Sequence, residues 1–173
     1  METKEGQTFD FLLASLHTVE DAVKTYDTKS QIVGVGYIFA INVVFTVGAL
    51  IPGSVELDLI KIVLAWVIVI FPALLFGAVL YPTRRFAPLV GENLSDDEHV
   101  YYVRSENTLG VRDYLSRVQD SDLHFELTYE IMKLSGLRDL KRIRFLRALF
   151  AAGLSFFALF LSQLLRVGDL FPF

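Results

Sequence analysis

The sequence predicts an all-α protein: an integral membrane helical bundle with three transmembrane helices, an N-terminal amphipathic helix and a cytoplasmic helical hairpin. The composition supports this fold class, because 53% of the 173 residues are hydrophobic and the mean hydropathy is +0.47. Apolar runs occupy residues 32–51, 59–81 and 145–165. Each run reaches the roughly 20 residues that a helix needs to cross the hydrocarbon core. The alternative is a soluble bundle with three buried helices, whose helices would usually keep a polar face that these runs barely show.

Residues 1–31 contain the predicted amphipathic helix. Its apolar residues recur at alternating spacings of three and four, which is a heptad seam. The seam residues are Phe9, Leu12, Leu16, Val19, Val23 and Tyr26. Such a seam has to be buried, either against a second copy of the chain or against the other cytoplasmic helices of the same chain.

Residues 82–144 are predicted to form two helices between the second and third spans. The run Ser95–Glu98, SDDE, is a capping box that predicts a helix from there to about Gln119. The run Asp120–Asp122, DSD, predicts the start of the next helix. Ser135-Gly136 is expected to kink or break that helix before the third span.

The distribution of positive charge predicts the topology. Of the sixteen Lys and Arg residues, eleven lie in residues 82–147, and the turn 52–58 has none. The positive-inside rule then places the N-terminus and residues 82–144 in the cytoplasm of a multi-pass inner membrane protein.

The sequence offers no recognisable catalytic motif, so we expect a protein that is not an enzyme. It has no cysteine, and its three histidines, His17, His99 and His124, are far apart in the sequence, so no two of them form a ligand pair at helical spacing. It also lacks a phosphate-binding glycine loop and a nucleophile elbow. We therefore expect no metal and no resident cofactor.

Small residues within the runs predict close approaches between spans. The pairs are Gly36/Ala40, Ala73/Gly77 and Ala148/Ala152. Asn42 in the first run is polar, and its amide is expected to find a partner on another span or another subunit.

Charged residues at the edge of the first span are the main candidates for a functional site. In one interpretation Lys24 pairs with Asp27, and Lys29 reaches phospholipid headgroups. In the other, Asp27 forms a latch with a basic residue such as Arg84 or Arg142. The basic run 138–147 holds anionic lipid or, alternatively, binds the phosphate of a ligand. The full set of ligand or latch candidates is Asp27, Lys29, Arg84, Arg85, Asn107 and Arg142.

Two short motifs carry a resemblance to a known family. Asp27-Thr28-Lys29-Ser30 leads into the first span, and Tyr81-Pro82-Thr83-Arg84 leaves the second. An acidic start, two cytoplasmic helices, a basic turn and a final span follow. In this order of features, over roughly residues 9–165, the chain resembles the Pycsar transmembrane effectors of bacterial anti-phage signalling.

The resemblance implies an antiviral defence effector that binds a cyclic nucleotide made by a partner cyclase. The nucleotide is expected to be a cyclic mononucleotide, or a cyclic oligonucleotide as in the related CBASS membrane effectors. The chain is then expected to form a homo-oligomer in the lipid bilayer and to disrupt it, without binding a nucleic acid polymer. The alternatives are a constitutive membrane scaffold or adaptor, and a small channel subunit.

Overall fold

A computed structural model of the chain describes residues 4–49, 59–81, 100 and 110–170. The described residues form four α-helices: α1 (Lys4–Ala49), α2 (Leu59–Leu80), α3 (Val111–Asp120) and α4 (Leu123–Leu170). Three of them, α1, α2 and α4, are long and apolar enough to cross a membrane. The all-α class and the three apolar helices are therefore as predicted.

Helix α1 is longer than the elements that were predicted from its sequence. The expected amphipathic helix of residues 1–31 and the first span, 32–51, form one continuous helix from Lys4 to Ala49. The boundary between them contains no proline and no glycine before Gly34, so nothing in the sequence ends the helix there.

Helix α4 contains the segments that were predicted as the second helix of residues 82–144, the basic run and the third span. The break expected at Ser135-Gly136 does not occur, since α4 runs without interruption through both residues. A single glycine costs a helix only about 1 kcal/mol. The flanking Leu134 and Leu137 are both buried, and their burial offsets that cost.

Helix α3 is shorter than predicted. The helix expected from the capping box to Gln119 begins only at Val111, because Gly110 has an extended backbone with φ −61° and ψ 148°. Val100, placed on that helix by its sequence, lies in a bend. The capping box itself falls outside the described residues.

The start of α4 matches the second capping signal. The Oδ1 atom of Asp122 accepts hydrogen bonds from the backbone N–H of His124 at 3.0 Å and of Phe125 at 3.3 Å. These two donors have no partner inside the helix, and a carboxylate at the N-cap satisfies them. Asp122 therefore fixes where α4 begins.

The helices form two compact units, and both α1 and α4 contribute to each. The described part of the first unit contains α1 up to Lys24, Val100, α3 and α4 up to Leu140. The second unit contains α1 from Thr25, helix α2 and α4 from Lys141.

The first unit is built on the heptad seam of α1. Leu16 is fully buried and packs in one cluster with Leu127, Leu134 and Leu137 of α4. The partly buried residues around this cluster are Phe9, Leu12, Val19, Val23 and Ile131. The first five of the six predicted seam residues are thus used within the chain, against α4. The sixth, Tyr26, belongs to the second unit.

Val100 connects α3 and α4 within the first unit. Its backbone N–H donates to Oε2 of Glu126 on α4 at 3.2 Å, and its carbonyl accepts from the Tyr114 hydroxyl on α3 at 3.2 Å. Helix α3 has no buried residue of its own. Polar contacts through Val100, and not buried apolar side chains of α3, therefore connect α3 to α4.

The second unit has an aromatic core shared by three helices. Tyr37 of α1, Phe76 of α2, and Ala148 and Ala152 of α4 are buried in one cluster. The Tyr37 ring lies 6.3 Å from that of Phe76 and 5.4 Å from that of Phe156. The two alanines allow α4 to approach this layer closely, as their spacing predicted.

A polar contact joins the same three helices. The Tyr37 hydroxyl donates to the Val69 carbonyl of α2 at 3.1 Å and lies 2.8 Å from Oγ of Ser155 on α4. A phenol has one proton, so when it donates to Val69, Ser155 donates to Tyr37. Both side chains are buried, and the contact satisfies polar groups that lipid could not.

The glycines of the other two predicted small-residue pairs do not lie at a close contact between helices. A Cβ atom at Gly36 or Gly77 would meet nothing within 4 Å, whereas one at Gly34 would lie 3.4 Å from Cβ of Phe76. The close approach of α1 and α2 is therefore at Gly34. Asn42 has an exposed side chain in this single chain.

Candidate functional site

An ion pair between α1 and α4 is the main feature of the candidate site. The Lys141 ammonium lies 2.5 Å from Oδ1 of Asp27. The Lys141 side chain is 6% exposed and the Asp27 side chain 33%. A buried cation is costly without a counter-charge, and Asp27 supplies one to Lys141.

A latch at Asp27 was one of the two interpretations of the sequence, with Arg84 and Arg142 as examples of its partner. In the structure the partner is Lys141, and the neighbouring Arg142 is exposed. Consecutive residues on a helix point about 100° apart, so a change of one position moves a side chain off the buried face. Arg84, Arg85 and Asn107, the remaining basic and amide candidates, lie outside the described residues.

The other charges at the edge of the first span are exposed. Lys24 lies 3.7 Å from Asp21, one turn earlier on α1, with both side chains more than two-thirds exposed. Lys29 is exposed, and its ammonium lies 5.8 Å from the centre of the Tyr26 ring. Neither lysine is buried as Lys141 is.

The periodicity of α4 could have identified Lys141. From Leu134 the buried residues of this helix recur at spacings of three, four or seven, and Lys141 follows Leu137 by four. Extending the buried stripe from Leu134 through Leu137 therefore reaches Lys141 and leaves out Arg142. A count of the basic residues in 138–147 treats them as one patch and does not separate them by helix face.

Polar and aromatic contacts lie immediately beyond the ion pair in the second unit. The Ser30 hydroxyl, three residues after Asp27, is buried and donates to the Phe76 carbonyl of α2 at 3.0 Å. The Tyr26 ring lies 6.2 Å from that of Phe145, four residues after Lys141. Within one helical turn of the ion pair there are thus a hydroxyl that has a hydrogen-bond partner and a contact between two aromatic rings.

A second cation of α4 contacts the end of α2. Arg144 donates from Nη1 to the Ala78 carbonyl at 3.2 Å. Carbonyls in the last turn of a helix lack intrahelical partners and carry the negative end of its dipole, so a guanidinium stabilises them. Lys141 and Arg144, three residues apart, therefore join α4 to α1 and to α2.

An open groove lies beside this contact. Its volume is about 550 Å³. We call it the arginine groove, and its lining residues are Leu74, Leu75, Gly77, Ala78, Tyr81, Arg144 and Arg147. One wall is apolar and the other carries two guanidinium groups, so its surface suits a molecule with both an apolar part and an anionic part.

The described part of the chain contains no group of three His, Asp or Glu side chains that could hold a metal ion. The chemistry that the candidate site offers is electrostatic: one ion pair that can form or separate, and two arginines able to bind an anion. Comparisons of the chain with protein-family models, with curated proteins and with solved structures gave no match.

Proposed function

We propose that this chain is a membrane effector of anti-phage defence that a cyclic nucleotide activates and that then disrupts the inner membrane. The observation that carries the proposal is the ion pair between Asp27 and Lys141. An ion pair with one buried member has two states of different energy, formed and separated, and a ligand can bias such an equilibrium.

The continuity of α1 and α4 supports this mechanism. Each of these helices contributes residues to both units. Within the second unit, Asp27 is the third residue of α1 and Lys141 is the first residue of α4. A rearrangement of the first unit would therefore act on the ion pair through the two helices that carry its members.

The exposed surface of the second unit supports insertion into a bilayer. Large apolar side chains project outward from its helices, among them Phe39 at 68% exposure, Leu74 at 65% and Phe157 at 65%. An exposed apolar surface of this kind suits lipid and not water. We propose the inner membrane, with the N-terminal amphipathic part of α1 and the hairpin of α3 and α4 in the cytoplasm, because of the positive charge in residues 82–147.

A homo-oligomer is part of the proposal. The exposed amide of Asn42 lies within an apolar stretch of α1, where lipid cannot satisfy it. A second copy of the chain could, through a hydrogen bond between helices.

The activating ligand is proposed to bind basic residues through its phosphate. Arg142 is the one ligand candidate among the described residues whose guanidinium is exposed, and it follows Lys141 directly. A phosphate at Arg142 would add a negative charge one residue from Lys141 along α4 and would so change the electrostatic balance of the ion pair.

The scaffold alternative loses its main support. It required the heptad seam of α1 to be free for a partner protein, and residues Phe9 to Val23 of that seam pack against α4. The channel alternative predicts conductance for ions without leakage of larger solutes, which the following experiment separates from membrane disruption.

Release of an encapsulated dye from liposomes tests the proposal. Purified protein is reconstituted, and cyclic UMP, cyclic CMP and a panel of cyclic oligonucleotides are added one at a time. We expect one nucleotide to release the dye. Asp27→Lys should release it without any nucleotide, and the swapped variant, Asp27→Lys with Lys141→Asp, should regain dependence on the ligand.

The control variant is Asp21→Lys, which reverses an exposed carboxylate six residues earlier on α1. It should behave as the wild type. Silence across the panel from correctly inserted protein would reject the effector function. Ion conductance without dye release would favour the channel subunit. A swapped variant that leaks as much as the single variant would reject the latch.

A further inference from the structure

We propose that the arginine groove binds an anionic phospholipid of the bilayer, with the lipid phosphate on Arg144 and Arg147 and an acyl chain along Leu74 and Leu75. The inference requires only that α2 and α4 lie in a membrane. It does not require activation by a nucleotide, and no nucleotide is present in the first arm of its test.

The positive charge of the groove favours an anionic ligand. Arg144 uses one nitrogen on the Ala78 carbonyl, and a guanidinium carries five N–H donors, so several stay available. Arg147 follows three residues later on the same face of α4 and is exposed. Within the part of the chain that the structure describes, no carboxylate pairs with either arginine. Arg138, by contrast, pairs with the carboxylate of Asp139.

The carbonyl end of α2 lies at the same place and would by itself repel a phosphate. Arg144 compensates for this, because its hydrogen bond to Ala78 neutralises the helix end. The hydrogen bond to the end of α2 comes from Arg144 and not from Arg147. The charge of Arg147 is therefore not needed to offset the negative end of the α2 dipole. We therefore expect Arg147 to contribute more to phosphate binding than Arg144.

The apolar wall selects a lipid over a soluble phosphate. Leu74 is 65% exposed and Tyr81 is 62% exposed in the groove. A free anion would leave these surfaces uncovered, whereas a phospholipid covers them with its acyl chain while its headgroup reaches the arginines. Tyr81 follows the last residue of α2, where aromatic residues commonly mark the boundary of the hydrocarbon core.

The groove is large enough for part of such a lipid, a headgroup phosphate with a stretch of acyl chain. Its volume of about 550 Å³ is that of an ordinary small-molecule site. Gly77 forms part of its floor, and a Cβ atom there would meet nothing within 4 Å, so the space above it is open. A larger side chain at Gly77 is therefore expected to occupy part of the groove.

Native mass spectrometry of the full chain in detergent tests the proposal. Phosphatidylglycerol and phosphatidylcholine with the same acyl chains are titrated separately, and the bound lipid is counted. We expect the wild type to retain phosphatidylglycerol preferentially. Arg144→Gln with Arg147→Gln should weaken that binding about tenfold and bring the two lipids to the same level.

Two matched controls separate a groove from a general charge effect. Arg112→Gln with Arg117→Gln removes the same charge from exposed positions of α3, and should leave lipid binding unchanged. Gly77→Leu fills the groove and keeps both arginines, so it should also weaken phosphatidylglycerol binding. Gly36→Leu, at an equally open glycine of α1, should not.

Three results would overturn the proposal. The first is equal retention of both lipids by the wild type. The second is an equal loss in the α3 control, which would mean that net charge alone attracts the lipid. The third appears in a separate arm without lipid: if cyclic UMP or inorganic phosphate binds the wild type and not the groove variants, the occupant is a soluble phosphate.

Discussion

Removing one member of the Asp27–Lys141 pair should destabilise the protein by an amount that depends on which member is removed. Asp27→Asn leaves the Lys141 ammonium, 6% exposed, without a counter-charge. Breaking a fully buried pair costs about 3–5 kcal/mol. Because Asp27 is 33% exposed and water reaches that side of the pair, we expect about 2–3 kcal/mol.

Lys141→Met is expected to cost less. It leaves Asp27, whose exposed third keeps contact with water, and methionine fills much of the volume of the lysine side chain. We expect about 1–2 kcal/mol. Both variants are measured by titration with a denaturing detergent, following helix content. The double variant completes a thermodynamic cycle, with an expected coupling energy of about 1–2 kcal/mol.

The exposed pair of Asp21 and Lys24 supplies the control. Its side chains are 77% and 71% exposed, so Asp21→Asn should change the free energy of unfolding by less than about 0.5 kcal/mol. The reasoning would be wrong if Lys141→Met cost more than Asp27→Asn, since that reverses the order set by burial. A coupling energy below about 0.3 kcal/mol would show that the two residues act independently.

Three further predictions concern other contacts. Tyr37→Phe removes the hydroxyl that joins three helices and should cost about 1–2 kcal/mol in the same titration, whereas no change would mean that the contact is unimportant. Leu16→Ala leaves a cavity at a fully buried position and should lower the free energy of unfolding by about 2–5 kcal/mol. It should also speed hydrogen exchange across the first unit. Leu13→Ala, at a 37% exposed position, is its control. Asn42→Leu should weaken the proposed oligomer in analytical ultracentrifugation, and unchanged association would remove Asn42 from its interface.

The features that the sequence predicted well depend on composition and periodicity. Apolar runs of sufficient length indicate the three long helices regardless of their neighbours. The heptad seam identified Leu16 and its neighbours as a buried face, because a spacing of three and four is visible in the sequence. The carboxylate of Asp122 was predicted for the same reason, since a helix start has local requirements.

The errors concern which helix face or which glycine makes a given contact. The choice of Lys141 over Arg142 follows from the face of α4 that meets α1, and a count of charges does not contain it. Glycines gave a similar result. Gly36 and Gly77 stood in favourable pairs, but the close contact with Phe76 is made by Gly34, which stood in none. The identity of the helix that covers the seam was likewise left open, because three heptads fit many partners.

The packing of the seam of α1 against α4 has a consequence for how the chain is made. The seam is translated first, and the α4 residues that cover it, Leu127 to Leu137, are translated only after two spans and the segment that follows them. During this interval the apolar residues around Leu16 lack the α4 residues that cover them in the folded chain. Growing chains on one messenger RNA therefore expose identical apolar seams to each other, and we expect mispairing to be most favoured before α4 emerges.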